Sequence, residues 1–363
     1  MNRAHNFNAG PSALPLEALK KVQAELLDFA GTGMSVMEIS HRSKDYEKVH
    51  NETIALLREL LTISDDYEVI FLQGGASLQF GMVPLNYLRE GQKAGYIMTG
   101  SWSEKALDEA KKIGQTYEVA STKEEKYTRI PEVSELKYDK DTAYIHLTSN
   151  NTIYGTQWDK LPKIEYDIPV IADMSSDILS KPFNVNDFAL IYAGAQKNLG
   201  PSGVTVAIIR KDMVEKENSS LTTMLKYSTF TKNNSLYNTP PTIAIYLMGK
   251  VLAEVKALGG IDAMYKRNVE KAKLIYDTID QSNGFYKGHA ANAESRSIMN
   301  ITFRVADEEL EKQFLDEAKK QGFVGLNGHR SVGGCRASTY NAVPYESCLA
   351  LKEYMVDFAK KNG

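Results

Sequence analysis

Residues 169–210, PVIADMSSDILSKPFNVNDFALIYAGAQKNLGPSGVTVAIIR, contain three short apolar runs separated by polar or glycine-rich segments. The runs are PVIADM (169–174), ALIYAG (189–194) and VTVAIIR (204–210). Each is nearly continuously apolar, which is typical of a strand that is buried on both faces. This stretch therefore predicts strands of a sheet that is covered on both sides.

The same pattern occurs earlier in the chain. VIFL (69–72) precedes a glycine turn and a helical stretch that contains Pro84, GYIM (95–98) precedes the helical stretch SEKALDEAKKIG, and AYIHL (143–147) precedes a polar loop. Strands that alternate with helices or long loops predict an α/β fold with a mostly parallel sheet flanked by helices. In such folds ligands bind beyond the carboxyl ends of the strands.

The character of the sequence changes after Gly260, where long helical patterns flank one clear strand, Ile298–Phe303. We therefore predict a large domain over residues 16–259. A small α+β domain is predicted to consist of residues 260–363 together with residues 1–15, which have no sheet pattern of their own.

Composition excludes several classes of function. The 363 residues include 43 Lys+Arg and 46 Asp+Glu, a formal net charge of -3, so no overall field favours a nucleic acid or a membrane surface. No run approaches the ~20 apolar residues that span a bilayer. Two cysteines, Cys335 and Cys348, cannot build a disulfide framework, and residues 1–15 lack a signal-peptide apolar stretch. We expect a cytoplasmic protein.

Two residues next to the apolar runs carry reactive groups. Lys197 lies in the glycine-rich loop AGAQKNLGPSG (193–203), where burial would lower its pKa and free the amine for attack on a carbonyl. Asp173 lies near the end of PVIADM, where a carboxylate is costly unless it faces a site and a cation. Alone, Lys197 could be a surface lysine and Asp173 a helix cap. Together they indicate a pyridoxal 5'-phosphate (PLP) site.

Three other segments fit this interpretation. GGAS (74–77) opens a helix, whose amides at Ala76 and Ser77 could bind a phosphate. Trp102, just after a strand, could stack on a flat ring, and Thr152 could donate to a ring hydroxyl. A packing tryptophan and an ordinary loop threonine are the alternatives.

Seven segments resemble the phosphoserine aminotransferase family, class V aminotransferases of fold type I. They are FNAGPSALP (7–15), GMSVMEISHRS (33–43), FLQGGAS (71–77), GSWSEKA (100–106), AQKNLGP (195–201), NTPPT (238–242) and GHRSVGGCRAS (328–338). Because they follow the family order over nearly the whole chain, the resemblance is specific. It implies the seven-stranded sheet of fold type I enzymes.

The resemblance also implies roles for individual residues. Lys197 would form the Schiff base with PLP, Asp173 would pair with the ring nitrogen, and Trp102 would stack on the ring. The other cofactor contacts would be Ala76, Ser77, Thr152 and Gln196, with Asn238 and Thr239 reaching the PLP of the partner subunit. The active unit would be a homodimer.

Arginine side chains indicate the kind of substrate, since their planar fork suits carboxylate and phosphate oxygens. Following the family, Arg336 would bind the α-carboxylate, and His41, Arg42, His329 and Arg330 would bind a distal phosphate or carboxylate. Each arginine could instead form a surface salt bridge. The implied substrates are L-glutamate and 3-phosphohydroxypyruvate, which yield 2-oxoglutarate and O-phospho-L-serine. Some family members also act in vitamin B6 (pyridoxine) synthesis.

Several alternatives stay open at this point. A small-substrate transaminase would not need the two His-Arg pairs, and a cysteine desulfurase needs a mobile reactive cysteine. A non-catalytic PLP sensor would keep Lys197 without the substrate arginines. A nucleotide module is disfavoured because FLQGGASLQFG lacks the G-x-G-x-x-G spacing, and a metal site because the six histidines are scattered.

Overall fold

A mixed sheet of seven strands forms the centre of the part of the protein described by this computed structural model, residues 3–164 and 166–363. Strands follow in chain order as β1 (His5–Asn6), β2 (Tyr67–Leu72), β3 (Lys93–Met98), β4 (Gln115–Ser121), β5 (Thr142–Thr148), β6 (Asn150–Asn151), β7 (Thr156–Gln157), β8 (Val170–Asp173), β9 (Leu190–Gly194), β10 (Thr205–Arg210), β11 (Tyr286–Gly288), β12 (Asn300–Val305), β13 (Phe323–Val324) and β14 (Cys335–Ser338).

Helices cover the sheets and connect their strands. They are α1 (Leu16–Glu25), α2 (Lys44–Leu61), α3 (Gly75–Tyr87), α4 (Ser101–Lys111), α5 (Lys211–Glu215), α6 (Tyr227–Thr231), α7 (Thr242–Ala257), α8 (Gly260–Asp280), α9 (Glu308–Lys320) and α10 (Tyr345–Asn362). As predicted, α3 continues through Pro84. None of the helices in the described residues is long and apolar enough to cross a membrane.

The central sheet has the strand order β2-β10-β9-β8-β5-β3-β4. β10 is antiparallel to both of its neighbours, whereas the other pairs are parallel. The predicted α/β fold with a mostly parallel sheet is confirmed. The sequence patterns did not indicate the edge strand β4, because the exposed Gln115 and Glu118 and the half-buried Thr116 interrupt any apolar run.

Burial on both faces explains the continuous apolar runs. In β8, Val170 and Ala172 pack with α2 and α7 on one face, while Ile171 packs with α3 and α4 on the other. Since successive side chains of a strand point to opposite faces, an apolar run is needed when both faces are covered.

A second core lies toward the C-terminus around the antiparallel sheet β11-β12-β14 and helices α8, α9 and α10. The predicted strand Ile298–Phe303 corresponds to β12, which begins two residues later. Phe7 and Ala13 belong to this core, and β1 pairs with β13. This packing supports the domain bounds 16–259 and 260–363 with residues 1–15, which we keep as a proposal; residues 1 and 2 lie outside the described residues.

Candidate active site

A pocket of about 290 Å³ lies beyond the carboxyl ends of the central parallel strands. It is lined by Ala9, Gly10, Gly75, Ala76, Ser77, Phe80, Trp102, Thr148, Asn150, Thr152, Ile153, Asp173, Ser175, Ser176, Gln196, Lys197, His329 and Arg336. The larger cavity of about 800 Å³ between the ends of α8 and α10 contains no predicted site residue. The sheet edge therefore brings together most of the residues singled out from the sequence.

Lys197 lies in the loop between β9 and β10, and its Nζ donates a hydrogen bond to Thr152 Oγ1 at 2.8 Å. The N-terminal segment holds this loop, because Ser12 Oγ donates to the Lys197 carbonyl at 2.6 Å and Ser12 N donates to the Gln196 carbonyl at 3.0 Å. Burial lowers the pKa of Lys197 to about 8, although Asp173 acts in the opposite direction. Near neutral pH a much larger fraction of this amine is therefore neutral than in an ordinary lysine, although the charged form still predominates.

Asp173 ends β8 with its side chain 5% exposed. Its Oδ1 accepts a hydrogen bond from the Ser175 backbone N–H at 2.9 Å. Burial raises the pKa of Asp173, while the contacts with Ser175 and the charge of Lys197 act against that rise. A cation placed in the pocket would favour the charged carboxylate further.

The turn before α3 forms an anion cradle at the pocket wall. Gly74 and Gly75 have φ angles of +86° and +65°, a left-handed conformation that favours glycine. The helix begins at Gly75, so the N–H groups of Ala76 and Ser77 belong to its first turn, where helix amides lack intrahelical acceptors. This arrangement suits a phosphate.

Trp102 lies in the first turn of α4 and borders the same pocket. Its ring centroid is 5.9 Å from Lys197 Nζ and 4.4 Å from Lys105 Nζ. Its indole Nε1 is buried and has no hydrogen-bond partner among the described residues. The ring is therefore placed to form one wall beside the lysine.

Arg336 lies on β14 of the C-terminal sheet and reaches the pocket with only 9% of its surface exposed. Its Nη1 donates to the Thr152 carbonyl at 3.1 Å, while its Nε is buried without a partner in the described part of the chain. No carboxylate there lies within ion-pair distance of it. Because a buried guanidinium without a counterion is costly, an anionic ligand would complete this site.

His329 is the other basic side chain from the C-terminal region that lines the pocket. Its Nδ1 is 2.7 Å from Ser331 Oγ. Burial lowers the pKa of His329, as do the nearby charges of Arg336, Arg330 and Lys105. The surroundings are positive, which favours an anion.

Five of the residues predicted from the sequence do not line this pocket within one chain: His41, Arg42, Asn238, Thr239 and Arg330. Arg42 Nε donates to His41 Nε2 at 3.4 Å, and Gln73 Nε2 donates to the Thr239 carbonyl at 3.4 Å. Asn238 Oδ1 is buried without a partner among the described residues.

Sequence reasoning did not include several lining residues. Thr148 and Ser175 flank the strand ends, and Thr148 is the register partner of Asp173 on the neighbouring strand. The Thr148 hydroxyl is buried with no partner in the described residues. The signal that could have found both residues is their position, at or just after the end of a buried strand.

A family model described as aminotransferase class-V matches residues 4–351. A curated phosphoserine aminotransferase from Lysinibacillus sphaericus (strain C3-41) is 65% identical over 360 residues, which are 99% of each chain. The solved phosphoserine aminotransferase from Bacillus circulans subsp. alkalophilus is 56% identical with a TM-score of 0.97, covering 99% of each chain. A PLP-bound phosphoserine aminotransferase from Trichomonas vaginalis is 38% identical with a TM-score of 0.92, covering 98% of this chain and 100% of that one. The family prediction is confirmed, and this chain belongs to the aminotransferase class-V family, in which its relatives are phosphoserine aminotransferases.

Proposed function

We propose that this chain is a PLP-dependent aminotransferase that moves the amino group of L-glutamate to 3-phosphohydroxypyruvate, giving 2-oxoglutarate and O-phospho-L-serine in serine biosynthesis. One observation carries the proposal. The buried amine of Lys197 faces a pocket that also presents Asp173 and the N-terminus of α3. The high identity to curated phosphoserine aminotransferases supports the choice of substrates.

The residues of the pocket fit PLP. Ala76 and Ser77 offer backbone amides to a phosphate, with Gln196 beside them in the same lining, and Trp102 offers a flat wall. The partnerless hydroxyl of Thr148 and indole N–H of Trp102 leave hydrogen-bonding capacity for a ligand, and Thr152 would contact a ring hydroxyl. When bound, PLP supplies an aldehyde that condenses with amines and a ring that accepts electrons.

The chain's own groups would hold and move the protons of the reaction. Lys197, whose pKa burial lowers to about 8, can accept a proton at Nζ and return it to a neighbouring carbon. Asp173 supplies a buried negative charge that would keep a proton on a ring nitrogen. The Thr152 hydroxyl, 2.8 Å from Lys197 Nζ, orients the amine.

Substrate selection would rest on the cations in and around the pocket. Arg336 has a free buried Nε and no counterion among the described residues, which suits the α-carboxylate. His329 would contact the distal phosphate or carboxylate, joined by Arg330. His41 and Arg42 would act on the same group, although neither lines the pocket of its own chain.

A homodimer would explain why His41, Arg42, Asn238 and Thr239 do not line the pocket of their own chain. Large apolar side chains are exposed next to them, with Met34 at 44%, Met37 at 55% and Tyr237 at 46% exposure. A contiguous apolar patch favours a protein partner, and these three side chains would contribute to such a patch in the proposed dimer. A second copy seated there would bring His41 and Arg42, and Asn238 and Thr239 with the partnerless Asn238 Oδ1, toward the partner's pocket.

Two smaller expectations belong to the same proposal. The free, buried thiols of Cys335 and Cys348 are consistent with a reducing cytoplasm. A further activity on the phosphorylated hydroxy-oxo acid of vitamin B6 synthesis would use the same cations.

The alternatives are less well supported. Burial raises the pKa of both thiols, to about 11 for Cys348, so neither provides the reactive cysteine of a desulfurase. A small-substrate transaminase would not need the two His-Arg pairs at 41–42 and 329–330, because its substrates carry no distal phosphate or carboxylate. Arg336 would bind an α-carboxylate in either enzyme.

A half-reaction panel tests the proposal. The absorption band of the PLP-loaded protein should be lost with L-glutamate and restored by 3-phosphohydroxypyruvate, but not by glyoxylate or pyruvate. Lys197→Ala should abolish turnover, while Lys273→Ala, an exposed position, should leave it unchanged. Preference for alanine or serine as donor would contradict the proposal.

A further inference from the structure

Asp177 is a buried carboxylate that stands behind the pocket and is not among its lining residues. It is 6% exposed and accepts hydrogen bonds from Ser149 Oγ and, at 3.0 Å, from Gln157 Nε2. No lysine or arginine of the described residues forms an ion pair with it. Neighbouring Lys181 instead donates to the backbone carbonyls of Trp158 and Asp159.

The two donors belong to the base of a short hairpin formed by β6 and β7. Gln157 is the register partner of Asn150, and Ser149 directly precedes that strand. Thr152 lies in the turn between the strands, where its hydroxyl accepts from Lys197 and its carbonyl accepts from Arg336. The hairpin thus carries a residue that hydrogen-bonds to both side chains.

We propose that Asp177 is a positioning residue that fixes the base of this hairpin, so that Thr152 meets Lys197 and Arg336 at the same time. The inference rests on the proposed roles of those two side chains. Asp177 is not among the residues that line the pocket and would act through Ser149 and Gln157.

The hairpin needs such an anchor because each of its strands has two residues, and an isolated two-stranded hairpin is marginal in water. Gln157 extends the connection, since its Oε1 accepts from the Ile298 backbone N–H at 3.0 Å. The amide therefore spans from Asp177 to the segment that leads into β12. An amide at position 177 offers one acceptor oxygen to two donors. It either meets the Gln157 NH₂ with its own NH₂ group, or turns round and leaves the Ser149 hydroxyl with the Asp173 carbonyl as its acceptor.

The carboxylate also contributes charge. Asp177 and Asp173 both favour protonated Lys197, whereas Arg336 and burial disfavour it. Burial raises the pKa of Asp177 itself, and the bonds from Ser149 and Gln157 together with the charge of Lys181 oppose that rise. Loss of this negative charge should therefore make Lys197 easier to deprotonate.

The decisive variants are D177N and the double variant D177N/Q157E, in which the carboxylate and the amide change places. In the double variant, the amide introduced at position 177 can donate to the carboxylate introduced at position 157 and accept from Ser149. That carboxylate can still accept from the Ile298 N–H. In the PLP-loaded protein, D177N should speed amide hydrogen exchange of residues 149–157 by about 10-fold or more, while the exchange rates of β9 stay unchanged. The value of kcat/KM should fall by at least the same factor. In the double variant, the hydrogen-exchange rates of residues 149–157 and kcat/KM should both return to within about three-fold of the values of the unchanged protein.

A second readout does not depend on transamination. In the full chain freed of PLP, D177N should shift the pH midpoint of Lys197 acylation downward, as measured by mass spectrometry. Unchanged amide hydrogen exchange of residues 149–157 in D177N, or a D177N/Q157E variant no better than D177N, would overturn the proposal. Should D177N not fold, Q157L removes only the hairpin side of the contact and must still speed exchange of residues 149–157. If the protein proves to catalyse another reaction, the hydrogen-exchange and acylation measurements still decide the role of Asp177.

Discussion

Lys197 Nζ and Thr152 Oγ1 are 2.8 Å apart, although the two residues are 45 positions apart in the chain. Lys197 follows the central strand β9, and Thr152 lies in the turn of the hairpin β6–β7. The Thr152 carbonyl simultaneously accepts from Arg336, which comes from the C-terminal sheet. One threonine therefore connects the amine proposed for catalysis with the arginine proposed for substrate binding.

Thr152→Val should separate these two functions. The variant removes the hydroxyl that accepts from Lys197 but keeps the carbonyl that accepts from Arg336. Because the amine loses an orienting partner and the proposed contact to a ring hydroxyl is lost with it, we expect kcat to fall by about 10- to 100-fold. KM for L-glutamate should stay within about three-fold.

Thr152→Ser keeps the hydroxyl and serves as the control. Steady-state kinetics with L-glutamate and 3-phosphohydroxypyruvate measures both variants. Equal losses in the two variants would show that the Thr152 hydroxyl is not the reason.

Lys197 should show an acylation midpoint near pH 8 in the folded, PLP-free chain, because burial lowers its pKa to about 8. In the urea-unfolded chain the midpoint should move to about 10.5, the ordinary value for lysine. Since the folded pKa is the lower one, the unfolded state binds more protons between these values. This group therefore adds stability as pH rises from about 8 to 10.5.

Competitive labelling at a series of pH values, read by mass spectrometry at Lys197, measures both midpoints. Identical midpoints in the folded and unfolded chains would refute the expected burial effect.

Arg336→Lys should weaken substrate binding more than it slows the chemical step. Lysine cannot reproduce the planar fork, and a lost charge-assisted hydrogen bond costs roughly 1.5–3 kcal/mol. We expect KM for L-glutamate and for 3-phosphohydroxypyruvate to rise by about 10- to 100-fold.

Arg296→Lys is a matched control, since Arg296 pairs with Asp280 away from the pocket lining. Its KM values should remain those of the unchanged protein. A normal KM in Arg336→Lys would remove this residue from the substrate site.

Gly75→Ala should weaken PLP binding with only a modest cost in stability. An added Cβ at Gly75 meets no atom within 4 Å, but its φ of +65° would strain any other residue by roughly 1–2 kcal/mol. The relaxed turn would move the first amides of α3, so PLP affinity measured by equilibrium dialysis should fall.

Two other glycine-to-alanine variants serve as comparisons. Gly74→Ala should destabilise more, because its Cβ would lie 2.7 Å from Leu78 Cβ at a φ of +86°. Gly81→Ala, inside α3 with open space around its Cβ, should leave PLP affinity unchanged. Urea unfolding gives the stabilities, and equal PLP affinity in all three variants would argue against the cradle.

Local patterns were enough to predict the α/β class, because a strand covered on both faces is apolar along most of its length, as at Val170, Ile171 and Ala172. The same rule failed at β4, where the exposed edge relaxes the requirement. Lys197 and Asp173 could be placed in one pocket because each lies at a strand end, and parallel strands end at one sheet edge.

Contacts between distant segments were decided only by the folded chain. Thr148 and Ser175 are ordinary in sequence and become part of the site through strand register. The separation of His41 and Arg42 from the pocket, and the burial of Asp177 under the hairpin, likewise depend on how loops cross the sheet edge. Periodicity records which side of an element is buried, whereas long-range partners arise from packing of the whole chain, and no local pattern encodes them.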